Sequence, residues 1–393
     1  MRTRLNSSIS LWRRILTAAC LAIAAYATAG EATATELPTS IFAPHSTPAH
    51  ELNDLSLFVL AITGLIFLGV TTLLIYALVR FRARGAENTE PPQVFGSVQI
   101  ELSWTIIPIL IIVVLFLGTA RVLFSVQDAQ KPATALDVIV IGHQFWWEFR
   151  YPQYNVVAAN ELHVPVSSRN SPRPTFMKLT SADVMHSFWV PRLDGKTDLL
   201  PNRVNEMWID PQKPGLYLGQ CAQFCGREHA KMLLRVYVDK PEDFEKWIAG
   251  QQRTQTEIAK PVASPVSQPN PGNQNTQSGV PPNSPATHNE VAKLSAEVPE
   301  QINAKNGQLV FEQQACINCH MVSGTVANGR YGPDLTHLMS RATLASGAAE
   351  NTPGNLQAWI EDPNRFKPGS MMPAMHLSDR QNAQITAYLL TLK

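Results

Sequence analysis

Charge is scarce in this chain. Asp, Glu, Lys and Arg make up 16% of its 393 residues, against roughly 25% in an average soluble protein. The balance is also even, 32 basic against 31 acidic residues for a net charge of +1. A protein that grips nucleic acid by neutralising phosphates needs a basic excess, so that class is excluded. Cysteines are few and odd in number, five in all, which excludes a framework made only of paired disulfides. No internal repeat occurs, and no aromatic residue lies between Trp247 and Phe311. From Gln251 to about Ala296 large apolar residues are almost absent as well, and such a stretch cannot build a core.

Long apolar runs account for the missing charge. Arg13 and Arg14 precede an apolar run from Ile15 to Tyr26, which ends in Ala27-Thr28-Ala29. This is the pattern of a secretory signal peptide, 1–29, cleaved after Ala29. Lipidation at Cys20 is the alternative, but little apolar sequence precedes that residue. Leu55–Val79 and Leu102–Ala120 carry no charge over 25 and 19 residues, each enough to span a bilayer as a helix. These predict two transmembrane helices at about 55–79 and 102–123 within an N-terminal segment 30–130. The loop between them opens Arg80-Phe81-Arg82-Ala83-Arg84, which places it in the cytoplasm and both chain ends outside.

After residue 130 the pattern changes. Asp137–Tyr151, Met177–Pro191, Val204–Leu218 and Met232–Asp239 are rich in Val, Ile and aromatics and are separated by turn signals such as Asp194-Gly195. They predict an all-β sandwich or Greek-key barrel over 131–248. The stretch 249–298 is Pro, Gln, Asn, Ser and Thr and reads as a disordered tether. Helical patterning returns in 299–393, with helices expected at Asn306–Gln314, Asn355–Glu361 and Asp379–Leu392.

Four of the cysteines fall into two close pairs. Cys221 and Cys225 share a twelve-residue segment with His229 and Met232, and His186 lies upstream beside Phe188-Trp189. A C-x-x-x-C alone also fits zinc or a disulfide. Thiolate, thioether and imidazole together on a β-fold select copper. Two thiolates on one loop can bridge two copper ions, with one His and one weak ligand completing each.

This segment resembles the dinuclear CuA site of the cytochrome c oxidase subunit 2 family. The likeness runs over about 50–245, through the two apolar helices, Gly142-His143-Gln144-Phe145-Trp146-Trp147, His186-Ser187-Phe188-Trp189-Val190-Pro191 and the cysteine loop. The resemblance implies a cupredoxin-like barrel with His186, Cys221, Cys225, His229, Met232 and the backbone carbonyl of Gln223 as copper ligands. Gln223 stands where the family usually has Glu, whose carboxylate holds magnesium at subunit 1; a neutral amide would hold it less well. The family's aromatic cluster usually offers a Trp where electrons arrive. Here Phe145 stands beside Trp146, which becomes the expected electron path. Glu101, at the cytoplasmic start of the second helix, reads on its own as an interfacial acid at a helix N-terminus. The resemblance makes it the mouth of a proton-uptake path.

Cys316-Ile317-Asn318-Cys319-His320 is a C-x-x-C-H motif, the attachment sequence of c-type haem. Cys316 and Cys319 would bond the haem covalently and His320 would ligate its iron. A redox dithiol needs a βαβ context that is missing here. Electron-transfer haems usually take Met as sixth ligand. Met372, before Pro373, occupies the position used in class I cytochromes c, with Met371 and Met375 as rivals. Gly332-Pro333-Asp334-Leu335 resembles the stretch whose Pro carbonyl orients the proximal His. Gly307, Phe311 and Tyr388 match positions where the first and last helices cross.

The whole chain thus resembles subunit 2 of the oxidases with a fused all-α cytochrome c domain. The resemblance implies electrons entering at haem c, passing to CuA and leaving for subunit 1, where O2 is reduced to water with proton translocation. Subunits 1 and 3 are the implied partners, with a soluble or membrane cytochrome c or a bc-type complex as donor. The implied location is the bacterial inner (plasma) membrane, multi-pass, with both cofactor domains on the periplasmic face. Quinol oxidase subunits share the fold but lack the copper ligands. A nitric-oxide reductase subunit or a free-standing membrane electron carrier remains the alternative.

Overall fold

The computed structural model describes residues 39–82, 93, 96–168, 170–253 and 304–393. The expected signal peptide and nearly all of the expected tether lie outside these residues.

Two long helices lead the chain, α1 (Thr47–Arg80) and α2 (Val98–Gln127). At 1.5 Å per residue they run roughly 50 and 45 Å, longer than the ~30 Å hydrocarbon layer. No residue of α2 is buried, so its apolar surface faces outward on all sides. The two helices pack where Gly118 leaves room for Phe58 and Leu55. Trp208 Nε1 donates to the Val126 carbonyl at 2.7 Å, and Thr47 Oγ1 donates to Asp210 at 2.7 Å. These bonds seat the β domain on the ends of the helices.

The β domain is a two-layer sandwich. Its first sheet is ordered β3-β2-β1-β5-β8 and its second β4-β10-β9-β6-β7. The first contains β1 (Leu136–His143), β2 (Trp146–Tyr151), β3 (Val156–Ala159), β5 (Thr175–Ser181) and β8 (Asn205–Ile209). The second contains β4 (Glu161–Pro165), β6 (His186–Trp189), β7 (Thr197–Leu199), β9 (Gly215–Cys221) and β10 (Leu233–Asp239). Alternation along β10 points Leu234, Val236 and Val238 inward, as a half-buried strand requires. Trp147 and Phe149 meet Phe188 edge-on at 5.7 and 6.5 Å, which fixes the strand that begins with His186. The helix α3 (Pro241–Gln251) closes the domain, burying Phe244 and Ile248.

Three of the expected strands are each divided in two, among them Met177–Pro191, which splits into β5 and β6 around residues 182–185. Asp137–Tyr151 turns back at Gln144-Phe145, so that His143 pairs with Trp146. Neither turn residue is Gly or Pro, so nothing at the turn itself signals the break. Val204–Leu218 likewise splits into β8 and β9 around Pro211 and Pro214.

The last domain is helical: α4 (Ala304–Gln313), α5 (Cys316–Cys319), α6 (Pro353–Glu361) and α7 (Asp379–Leu389). Ser378 and Gln381 form a reciprocal capping box at the start of α7. At Gly307 an added Cβ would lie 1.9 Å from the Gln384 carbonyl oxygen, so α4 crosses α7 at backbone contact. Phe311 and Tyr388 pack beside this crossing with ring centroids 5.6 Å apart. The domain rests against the β sandwich on the face that carries the β1–β2 turn, Lys367 donating to the Phe145 carbonyl.

Candidate functional site

Four chain segments converge at one end of the sandwich. Cys221 ends β9, His186 begins β6, Met232 directly precedes β10, and Cys225 and His229 lie in the loop between β9 and β10. Antiparallel pairing of β9 with both β6 and β10 brings them together. The two sulfurs lie 3.9 Å apart. His186 Nδ1 is 3.8 Å from Cys221 Sγ, and His229 Nδ1 is 3.7 Å from Cys225 Sγ. Met232 Sδ is 3.9 Å from Cys225 Sγ, and the Gln223 carbonyl oxygen is 3.2 Å from Cys221 Sγ. All six sequence-predicted ligands therefore meet. His186, Cys221, Cys225 and Met232 are buried.

The electrostatics favour cation binding. The contact with Cys225, against the opposing effect of burial, brings the Cys221 thiol down to about 3. The same contact and burial push the Cys225 thiol up. A metal ion binds the deprotonated thiolates, so its binding here is linked to release of the thiol protons. Burial opposes charge on His186, but the Asp183 carboxylate, 2.8 Å from its Nε2, outweighs this and raises the imidazole. Asp183 thus holds the ring with Nδ1 toward the sulfurs, a carboxylate–histidine arrangement typical of metal sites. Sequence reasoning missed Asp183; the only signal was an acid three residues before His186.

The donor set, paired thiolates with one imidazole on each and a thioether and carbonyl at the ends, fits two copper ions. His229 is held by its own short 3-10 turn, His229–Lys231. Gln144 Nε2 donates to the Cys225 carbonyl at 2.6 Å and so braces the loop from the β1–β2 turn.

The second centre is a cavity of ≈ 960 Å³ in the helical domain, with Cys316, Cys319 and His320 on its wall. His320 Nδ1 meets the Pro333 carbonyl at 2.8 Å, which leaves Nε2 for a ligand. Burial holds the imidazole below the usual histidine range and therefore neutral. An added Cβ at Gly332 would lie 2.5 Å from His320 Cε1, and one at Gly329 2.5 Å from Asn318. Backbone packs tightly on the proximal side while the rest of the cavity is open, as a flat macrocycle needs. Met371, Met372 and Met375 all line the cavity, but Met371 is 70% exposed. Arg341, which donates to the Asp334 carbonyl, also lines it and was not anticipated from the sequence.

The cavity does not end at the helical domain. Phe145 and Trp146, from the β1–β2 turn, form part of its lining. Trp146 stacks on His143 with centroids 4.1 Å apart. Glu101 lies exposed in the first turn of α2, far along the chain from either centre.

Comparison with known proteins agrees with this arrangement. The family described as cytochrome c oxidase subunit II, transmembrane domain, matches residues 36–121. The periplasmic domain of the same subunit matches 160–238, and cytochrome c matches 304–393. A cytochrome c oxidase subunit 2 of Alkalihalophilus pseudofirmus is 31% identical over 346 residues, covering 86% of this chain and 85% of that protein. Another, from Bacillus sp. strain PS3, is 30% identical over 329 residues and covers 79% of each. Among solved structures, the periplasmic domain of subunit II of the Bradyrhizobium japonicum oxidase is 28% identical. It covers 31% of this chain and 96% of its own, with a TM-score of 0.29. From the apolar helix pair through the sulfur-rich end of the sandwich to the fused helical domain, the chain belongs to the cytochrome c oxidase subunit 2 family, in the form that carries a C-terminal cytochrome c domain.

Proposed function

We propose that the chain is the electron-accepting subunit of a proton-translocating terminal oxidase. Electrons reach the cytochrome domain from a cytochrome c or a bc-type complex, cross to the cupredoxin domain and leave for subunit 1, where O2 is reduced. Its organisation is a signal peptide, a membrane hairpin, a cupredoxin domain over 131–248, a linker and a cytochrome domain from about 299. The protein is a multi-pass component of the inner membrane with both cofactor domains on the periplasmic side, assembled with subunits 1 and 3.

The observation that carries this reading is the shared cavity wall. Phe145 and Trp146 of the copper domain line the same cavity as Cys316, Cys319 and His320. Two candidate centres in one chain, face to face, suit relay of electrons. When bound, the dinuclear copper and the haem each supply a one-electron carrier. His186, Cys221, Cys225, His229, Met232 and the Gln223 carbonyl would hold the copper. His186 and Cys221 lie on paired strands and the other four in the loop that joins β9 to β10, which would keep the ligands fixed between oxidation states. Cys316 and Cys319 would hold the haem covalently, and His320 and Met372 would ligate its iron. Gln223 offers only a neutral amide toward subunit 1, so a magnesium ion there is bound less firmly. Glu101, at the start of α2, would serve proton uptake into subunit 1.

Purification of the assembled complex tests the reading. Absorbance of haem a beside that of haem c is expected. Haem c and copper without haem a would identify a nitric-oxide reductase subunit or a free-standing carrier instead.

A further inference from the structure

The sequence suggests a cytochrome domain roaming on a tether, but the two domains meet through buried polar contacts. Glu161, at the start of β4, is 4% exposed although it is an acid. Its carboxylate accepts from the Ala342 amide at 3.0 Å, from the Thr343 amide at 2.9 Å and from the Thr343 hydroxyl at 2.8 Å. Thr343 is itself 6% exposed. Burying a carboxylate is costly unless hydrogen bonds satisfy it, and here all three named donors come from the other domain. Two further buried contacts flank it. Lys367 Nζ donates to the Phe145 carbonyl at 2.9 Å, and Ser346 Oγ donates to the Leu233 carbonyl at 2.7 Å.

The positions of these acceptors matter. Leu233 follows the copper-ligand candidate Met232, and Phe145 follows Gln144, which braces the Cys225 carbonyl. Each contact therefore ends one residue from a group that touches the sulfur-rich loop. On the other side, Thr343, Ser346 and Lys367 all line the haem cavity. A freely tethered domain would leave the Glu161 carboxylate without these three donors. The fit of three donors to one carboxylate is specific to this pose.

We propose that Glu161, with Lys367 and Ser346, is a latch that locks the cytochrome domain onto the copper domain, so that the haem cavity is held against Phe145 instead of arriving there by diffusion. Glu161 is a positioning residue that touches neither cofactor. The latch stands on the protein's own atoms, while its consequence for electron transfer rests on the functional reading above.

The test is hydrogen–deuterium exchange of the full-length, detergent-solubilised protein. In the wild type the Ala342 and Thr343 amides are protected, because the Glu161 carboxylate is the partner both donate to. Glu161→Ala is expected to speed their exchange at least tenfold. Glu161→Gln, which keeps an acceptor oxygen, restores most of the protection. The haem c and copper absorbance bands stay unchanged in both variants, and flash-induced electron transfer between the domains becomes slower and viscosity-dependent in Glu161→Ala. Unprotected amides in the wild type, or equal protection in wild type and Glu161→Ala, would overturn the latch. Missing copper or haem bands in the wild type would instead overturn the functional reading and leave the exchange result standing.

Discussion

The side-chain amide of Gln144 donates to the main-chain carbonyl of Cys225 at 2.6 Å, across 81 residues of sequence. The β1–β2 turn is thereby tied to the sulfur-rich loop by its side chain and, one residue on, to Lys367 of the cytochrome domain by its backbone. An added Cβ at Gly226 would lie 3.0 Å from the Phe145 ring, so the aromatic residue is pressed against the same loop. Hydrogen bonds and covalent bonds thus form a continuous path from the wall of the large cavity to the candidate copper ligands. Phe145 fills this position with its carbonyl already engaged by the fused domain.

Replacing Cys221 by Ser is expected to abolish the copper absorbance and leave haem c intact. The two candidate centres draw on separate ligand sets in separate domains, with cores that do not share residues. Absorbance spectra of the purified variant check this. Loss of both signals from a correctly assembled protein would contradict it.

Asp183→Ala is expected to weaken copper binding about 10–100-fold, the usual cost of removing a carboxylate that orients a ligating histidine. The Asp183–His186 contact is 2.8 Å and the His186 ring is fully buried, so this carboxylate reaches the ring from the solvent side. Competition with a copper chelator, followed in the visible spectrum, measures the change. Wild-type affinity would mean that packing against Trp147 and Phe188 orients His186 unaided.

Met372→Ala should lower the haem c reduction potential and remove the charge-transfer band of a Met–iron bond. A Met ligand raises the potential of a c-type haem, and Met372 lines the cavity without the exposure of Met371. If the band persists, the ligand is Met371 or Met375.

Gly307→Ala should destabilise the cytochrome domain by about 3 kcal/mol, the upper part of the range for overpacking a close contact. Its Cβ would fall 1.9 Å from a backbone oxygen of α7, which no side-chain rotation relieves. Denaturant unfolding followed at the haem absorbance gives the value. An unchanged midpoint would show that α4 and α7 can separate without loss.

How far the sequence reveals the fold depends on the range of the forces involved. The two charge-free runs and the C-x-x-C-H motif are local, and each is complete within a few dozen residues. The candidate copper ligands are nearly as local: five of the six lie in twelve residues, and only His186 and its strand stand apart. The short strands β3 and β4 were not legible, because four or five residues carry too little alternation and β4 is set by parallel pairing with β10, Arg235 opposite Glu161. Helix α3 also escaped notice, since Pro241–Gln251 is mostly polar and only Phe244 and Ile248 are buried. The docking of the two domains was the least legible feature. Glu161 meets Thr343 across 182 residues, and one acid in a strand carries no sign of so distant a partner.

Removing the cytochrome domain by ending the chain after Arg253, beyond α3, should leave a copper-loaded oxidase that turns over poorly with soluble cytochrome c. The intact chain presents Glu161, Phe145 and Leu233 to partners in its own cytochrome domain, and these partners are lost together. A soluble donor would have to supply an equivalent set of donors at concentrations below the roughly millimolar effective concentration of a linked domain. Truncation also uncovers the Glu161 carboxylate, whose charge then repels or attracts donors according to their own surface. Steady-state O2 consumption of the truncated oxidase with added soluble cytochrome c, at physiological ionic strength, is expected to fall about tenfold or more, in line with the loss of that effective concentration. The copper absorbance should stay at its wild-type level. Turnover equal to that of the intact oxidase would show that the copper face accepts electrons from any cytochrome c and that Phe145 is not matched to the fused domain.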